Sequence, residues 1–131
     1  MKDKLRRLLD CSYTPYYHYP VASVVVMKDG CEFNGVNVET SSPASGICAE
    51  RNAIFSAIAA GYSKGDVKEI HVMSKTEDDC FPCFVCRHAL HDLCDEDVIV
   101  YSHTYQDRVV SHTIGELCPY PFGDDNMKGN L

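Results

Sequence analysis

Val21 to Met27 is a run rich in β-branched and apolar residues, interrupted only by Ser23, followed by Lys28-Asp29-Gly30 and a second extended stretch from Cys31 to Glu39. β-Branched side chains suit a pleated surface, and Asp-Gly between two such runs is a hairpin signal. The chain is therefore committed early to an antiparallel pair of strands. Val67 to Ser74 reads as a third strand, and Val98 to Ser102 and Arg108 to Thr113 as a fourth and fifth, separated by only about five residues. So short a link makes the last two antiparallel, because a parallel pair needs a crossover connection.

The helices fall between these runs. Leu5, Leu8 and Leu9 stand at i, i+3, i+4 and mark a short amphipathic helix in the first ten residues. Cys48 to Ala60 carries Ala49, Ala53, Ile54, Ala57 and Ile58 and is stopped by Gly61. Apolar over much of its circumference, it is expected to be central and buried. Phe84 to Cys94 reads as another helix, and the tail from Pro119 to Leu131 as irregular. The order α-β-β-α-β-α-β-β predicts an α/β fold, a three-layer α-β-α sandwich with a mixed five-stranded sheet covered on both faces. At 131 residues, one domain spanning 1–131 is expected.

Composition narrows the function. With 45% apolar and 24% charged residues the chain is of globular type. A net charge of −7 argues against a nucleic acid polymer as partner, since such binding relies on neutralising phosphates with Lys and Arg. Nor does any apolar run approach the roughly 20 residues needed to cross a bilayer. The first ten residues are charged throughout and lack the apolar segment of a secretory signal. The expected setting is cytoplasmic, with the eight cysteines reduced.

Two cysteine groups carry the chemistry. Pro82-Cys83-Phe84-Val85-Cys86 is a C-x-x-C at one predicted helix start, and Cys48-Ala49-Glu50 sits at another. Unpaired N–H groups and the positive helix end favour thiolate there. Two such starts meeting at one end of a sheet would deliver three thiolates to one ion. Zinc suits sulfur ligands, and three protein ligands leave a fourth position open for water. Glu50, two residues from a ligand, is placed to handle that water's protons, while Arg51 and Arg87 are placed to donate to thiolate sulfur. Spacing alone leaves open a structural zinc, including one closed by Cys80 as a fourth sulfur, and plain buried thiols.

The pattern of a Cys or His followed by x-Glu, then P-C-x-x-C, is that of zinc deaminases. Over nearly its whole length, from Tyr13-Thr14-Pro15-Tyr16 to Gly115-Glu116-Leu117-Cys118-Pro119, the chain resembles the small, homotetrameric cytidine deaminase family. The resemblance rests on Gly35-Val36-Asn37-Val38-Glu39, Cys48-Ala49-Glu50-Arg51 and Pro82-Cys83-Phe84-Val85-Cys86-Arg87, in matching order and spacing. It implies that Cys48, Cys83 and Cys86 hold Zn2+ and that Glu50 is the proton shuttle. It further implies that Asn37 and Glu39 bind the sugar hydroxyls of a small pyrimidine nucleoside, with Ala49 at the base edge. Tyr19 and Phe122 would offer aromatic faces, Phe122 reaching a neighbouring subunit's site in a homotetramer. The implied reaction is hydrolytic deamination of cytidine and 2′-deoxycytidine. An amide and a carboxylate at i and i+2 of a strand share a face, which suits a diol. Glu39 would also repel a nucleotide's phosphate.

Departures from the family pattern bear on substrate preference rather than on ligands. Phe84-Val85 replaces the usual Gly-Ala, His88 the usual Gln, and Pro43-Ala44 a Tyr-Gly. Alternatives therefore stay open: a deaminase of another aminopyrimidine such as blasticidin S, or an inactive zinc-stabilised homologue. His71, His91, His103 and His112 have no partner at ligand spacing, and Cys11, Cys31, Cys94 and Cys118 read as small buried side chains.

Overall fold

The computed structural model describes residues 1–127. Its elements are α1 (Lys2–Leu9), β1 (Val21–Met27), β2 (Glu32–Val36), α2 (Ala49–Ala59), β3 (Val67–Ser74), α3 (Phe84–Leu93), β4 (Ile99–His103), β5 (Val109–Thr113), α4 (Ile114–Leu117) and α5 (Asp124–Met127). The five strands form one sheet in the order β2-β1-β3-β4-β5. β1 is antiparallel to β2 and to β3, β3 and β4 are parallel, and β4 and β5 antiparallel. The sheet is thus mixed and five-stranded, as the spacing of the runs predicts.

Both faces are covered. On one, Leu5 and Leu9 of α1 pack on Ala22, Val24, Val26 and Met73. On the other, Ala53, Ile54 and Ala57 of α2 and Leu90 of α3 pack on Val25, Ile70, Val72 and Val100. β1, sandwiched between the two layers, is buried at all of its positions. A strand buried on both faces has no polar side to present, which is why its sequence reads as a continuous run rather than an alternation.

One close approach fixes the position of α2. A Cβ on Gly35 of β2 would lie 2.2 Å from the Ala49 carbonyl oxygen and 2.5 Å from the Ala53 amide nitrogen. Only a residue without a side chain lets α2 rest backbone to backbone on β2 here. The first turn of α2, which carries Glu50, is seated by that contact.

Three expectations need correction. The second strand ends at Val36 rather than Glu39; Val38 instead forms single bridges with Tyr13 and Ile47. The ladder with β1 stops there because the Val21 amide donates to the Asn37 side-chain oxygen at 2.8 Å, while the Asn37 carbonyl accepts from the Tyr13 amide at 3.1 Å. The tail from Pro119 is not wholly irregular, since Asp124–Met127 forms α5, and a further short helix not expected, α4, precedes the tail at a capping box in which Thr113 and Glu116 satisfy each other's backbone amides. The Thr113-x-x-Glu116 spacing was a readable signal for that helix. Residues 128–131 of the predicted irregular tail lie outside the described residues. Finally, Cys94 is buried as expected, but Cys11 and Cys31 are exposed and Cys118 is only half-buried. Both exposed thiols sit in the turns that follow α1 and Gly30, where the chain is at the surface.

Candidate active site

Cys48 and Cys83 are the N-cap residues of α2 and α3, with extended backbone at φ/ψ of −78°/154° and −63°/166°. N-caps are extended by nature, so the helices start one residue later than each motif's first cysteine. Cys86 lies inside the first turn of α3 and is fully buried. The three sulfurs lie within 4.8 Å of one another, and Cys48 Sγ and Cys83 Sγ are 3.8 Å apart. Sulfurs bound at about 2.3 Å to a tetrahedral zinc stand about 3.8 Å apart, so the cluster fits the ion. Among the described residues it is the one such group of potential ligands. Cys80 is outside it: its amide donates to Ser102 Oγ at 2.9 Å, and burial, followed by the charge of Glu50, pushes its thiol up. A closed four-sulfur centre is not formed.

The electrostatics suit metal capture. A hydrogen bond from Cys86, and further ones from Arg51 and Cys83, draw the Cys48 thiol down to about 5 against the opposing effect of burial. Cys86 moves the other way, held protonated by its hydrogen bond to Cys48 and by burial. One sulfur is thus ready as a thiolate, and the ion itself is needed to deprotonate its neighbours. An Arg51 guanidinium nitrogen lies 3.4 Å from Cys48 Sγ, as its place one turn into α2 predicts. Glu50 is 5% exposed, and burial, reinforced by the nearby Cys48 charge, pushes its carboxyl up to about 7. A carboxyl group poised there can both accept and return a proton at neutral pH.

Arg87 does not reach sulfur. Its Nε donates to the Pro82 carbonyl at 2.6 Å and a terminal nitrogen to the Leu117 carbonyl at 3.1 Å, with the guanidinium 4.4 Å from the centre of the Phe84 ring. It braces the loop that delivers Cys83 instead of donating to a thiolate. The two carbonyls take its donors.

Beside the sulfurs opens a cavity of about 340 Å³, lined among others by Tyr16, Tyr17, Asn37, Glu39, Cys48 and Arg51. Asn37 accepts from the Val21 amide and donates to the Tyr19 carbonyl, both at 2.8 Å. One Glu39 carboxylate oxygen accepts from the Tyr16 and Tyr17 amides at 2.9 and 3.1 Å. Both side chains therefore organise the aromatic loop while facing the cavity, lying just beyond β2 rather than on it. The sequence pattern assigns Tyr16 and Tyr17 no role at the site; they belong to the aromatic-rich stretch between Pro15 and Pro20. Tyr19 is exposed and is not among the residues lining this cavity, and Ala49 is fully buried, its carbonyl against Gly35. Phe122 is exposed, its ring 6.4 Å from that of His88. Phe84, Val85 and His88 line, with Phe55, a separate apolar groove of about 700 Å³ between α2 and α3.

Three converging sulfurs beside a buried carboxyl group, on a mixed sheet, define a metal-assisted hydrolytic enzyme. Residues 2–102 match the family model described as the cytidine and deoxycytidylate deaminase zinc-binding region. A cytidine deaminase of Halalkalibacterium halodurans is 35% identical over 116 residues, covering 88% of this chain and 86% of that protein. A cytidine deaminase of Mycoplasma genitalium is 33% identical over 114 residues, 87% of this chain and 86% of its own. The crystal structure of cytidine deaminase from Burkholderia pseudomallei superposes with a TM-score of 0.87 at 34% identity, over 92% of this chain and 94% of that one. The chain belongs to the zinc-binding cytidine and deoxycytidylate deaminase family. No helix among the described residues is long and apolar enough to cross a membrane.

Proposed function

We propose that this protein hydrolyses the exocyclic amine of cytidine and 2′-deoxycytidine, giving uridine and 2′-deoxyuridine with release of ammonia, as one deaminase domain serving pyrimidine salvage in the cytoplasm. The observation that carries the reading is the buried Glu50 carboxyl group, pushed up to about 7, two residues from Cys48 in the three-sulfur cluster.

Cys48, Cys83 and Cys86 would hold the zinc, which when bound supplies an electrophilic centre that makes water nucleophilic near neutral pH. Glu50 takes the proton of the attacking water and gives it to N3 of the pyrimidine. It then transfers the second proton to the departing amine, so that water adds at C4, the C4–N4 bond breaks and ammonia leaves. Arg51 offsets the negative charge of the sulfurs through its contact with Cys48. Arg87 fixes the Pro82 carbonyl and through it the approach of Cys83.

Asn37 and Glu39 each keep hydrogen-bonding capacity beyond their contacts to the loop, and face the cavity where a ribose would lie. Tyr19 and the Ala49 backbone are assigned to the base. Phe122, exposed and beside His88, is assigned to a neighbouring subunit's site in a homotetramer, with the apolar groove of Phe55, Phe84 and Val85 as part of the contact between subunits. Glu39 and the net charge of −7 favour an uncharged nucleoside over its phosphate.

Glu50→Gln decides the mechanism. The variant is expected to keep its zinc and its circular dichroism spectrum while the rate of cytidine loss, followed by ultraviolet absorbance, falls about a hundredfold or more. Near-normal turnover in a zinc-loaded Glu50→Gln protein overturns the assignment.

A further inference from the structure

Far from the sulfurs, under α1, lies a second cluster of titratable groups that the deamination does not use. His71 of β3 and His103 of β4 are each 8% exposed, and His71 Nδ1 is 2.8 Å from His103 Nε2. His71 pairs across the sheet with Val24 of the α1-facing cluster, and His103 pairs with Met73 of the same cluster, which places both imidazoles on the face that α1 covers. A hydrogen bond between two ring nitrogens needs one N–H and one lone pair. With both rings protonated, two N–H groups point at each other and the bond cannot exist.

The surroundings decide which proton breaks it. Glu69 of β3 lies 3.6 Å from His71 Nε2, so one positive ring, at His71, has a carboxylate partner. Tyr101 of β4 stacks on His71 with ring centroids 5.0 Å apart, and Glu32 of β2, held by Lys4 of α1 at 2.6 Å, acts on it from a distance. The charges that act on His103 are positive: His71, the Met1 amino group and Lys2. The carboxylate of Asp107 is taken by Lys2 and Arg6, each at 2.8 Å. Burial pushes both rings below their ordinary value of 6.5, His103 to about 4.

We propose that α1 is an acid-released strap: double protonation of the His71–His103 pair undocks it from the sheet. The release carries to the cavity, because the chain leaving α1 holds Ser12 Oγ on the Val21 carbonyl and binds Tyr13 to the Asn37 carbonyl and the Glu39 amide. The consequence for the sugar pocket rests on the deaminase reading; the release itself does not. The sign follows from linkage. The undocked state, with ordinary imidazoles, binds more protons than the docked one, so docking is at full strength above about 6.5 and is lost as the pH falls towards 4, by up to about tenfold per unit for each proton taken up.

Hydrogen exchange of the zinc-loaded protein, read by mass spectrometry without substrate, tests this. Corrected for intrinsic rates, exchange of residues 2–13 is expected to rise about tenfold or more between pH 7.0 and 5.5, while residues 49–59 stay protected. The His71→Leu/His103→Gln pair of substitutions is expected to abolish the rise. Unchanged protection of α1 in the wild type, an equal rise in α2, or a rise that survives the double substitution each overturns the proposal. Should the double variant fail to fold, histidine ring titration by NMR in the wild-type protein decides. Proton uptake by His71 and His103 must then coincide with the release of α1, and separate midpoints overturn the coupling. Because no substrate is needed, a protein that left cytidine untouched would still answer the question, and a steady α1 would leave the deaminase reading intact.

Discussion

Arg51 and Arg87 are alike in the sequence, each next to a site residue, yet they do different work. The guanidinium of Arg51 lies 3.4 Å from Cys48 Sγ because three residues along a helix bring side chains onto one face. Arg51→Ala is expected to weaken zinc retention about ten- to a hundredfold, measured by competition with a chelator, since such supporting contacts carry that weight. Arg87 reaches the Leu117 carbonyl, 30 residues away, and no local pattern could have announced it. Asn37 shows the same division. Its type and place beside Glu39 were legible, but its hold on the Val21 amide and Tyr19 carbonyl was not, since those partners are 16 and 18 residues distant. Asn37→Ala leaves a partly buried amide and a carbonyl without their partner. It should cost about 1–3 kcal/mol in chemical denaturation as well as raising the KM for cytidine.

Elements whose signal is local are legible in the sequence. β1, β3 and the start of α2 lie within a residue of expectation, because apolar runs, a turn dipeptide and a stopping glycine are all written in neighbouring residues. The short α4 after β5 follows from a local capping box, whereas at the end of β2 tertiary contacts override the local pattern and Val38 leaves for Tyr13 and Ile47. The seating of α2 on β2 is another such contact. Gly35→Ala places a methyl group against the Ala49 and Ala53 backbone, at 2.2 and 2.5 Å in the present arrangement, where no side chain can swing aside. The expected cost is about 1–3 kcal/mol of stability, and the displaced α2 should carry Cys48 and Glu50 with it, lowering kcat as well as Tm.

At the scale of the molecule, the proposed zinc joins α2 to α3 through Cys48 and Cys83, 35 residues apart in the chain. A ligand that binds only the folded state stabilises it by mass action, so a strong chelator should lower Tm and stop cytidine turnover together, and added zinc should restore both. β3 and β4 are parallel, so Cys83 and Cys86 sit inside the crossover that links them, and the sequence of the ligands along the chain differs from the order in which the site is completed. A growing polypeptide that has reached Cys86 already contains all three sulfurs. It has not yet made β4, whose pairing with β3 closes the crossover and turns the start of α3 towards that of α2. On this geometry, ion capture is expected to follow the pairing of β4 with β3. A fragment ending before Ile99 should carry every ligand and still fail to keep zinc against a weak competitor.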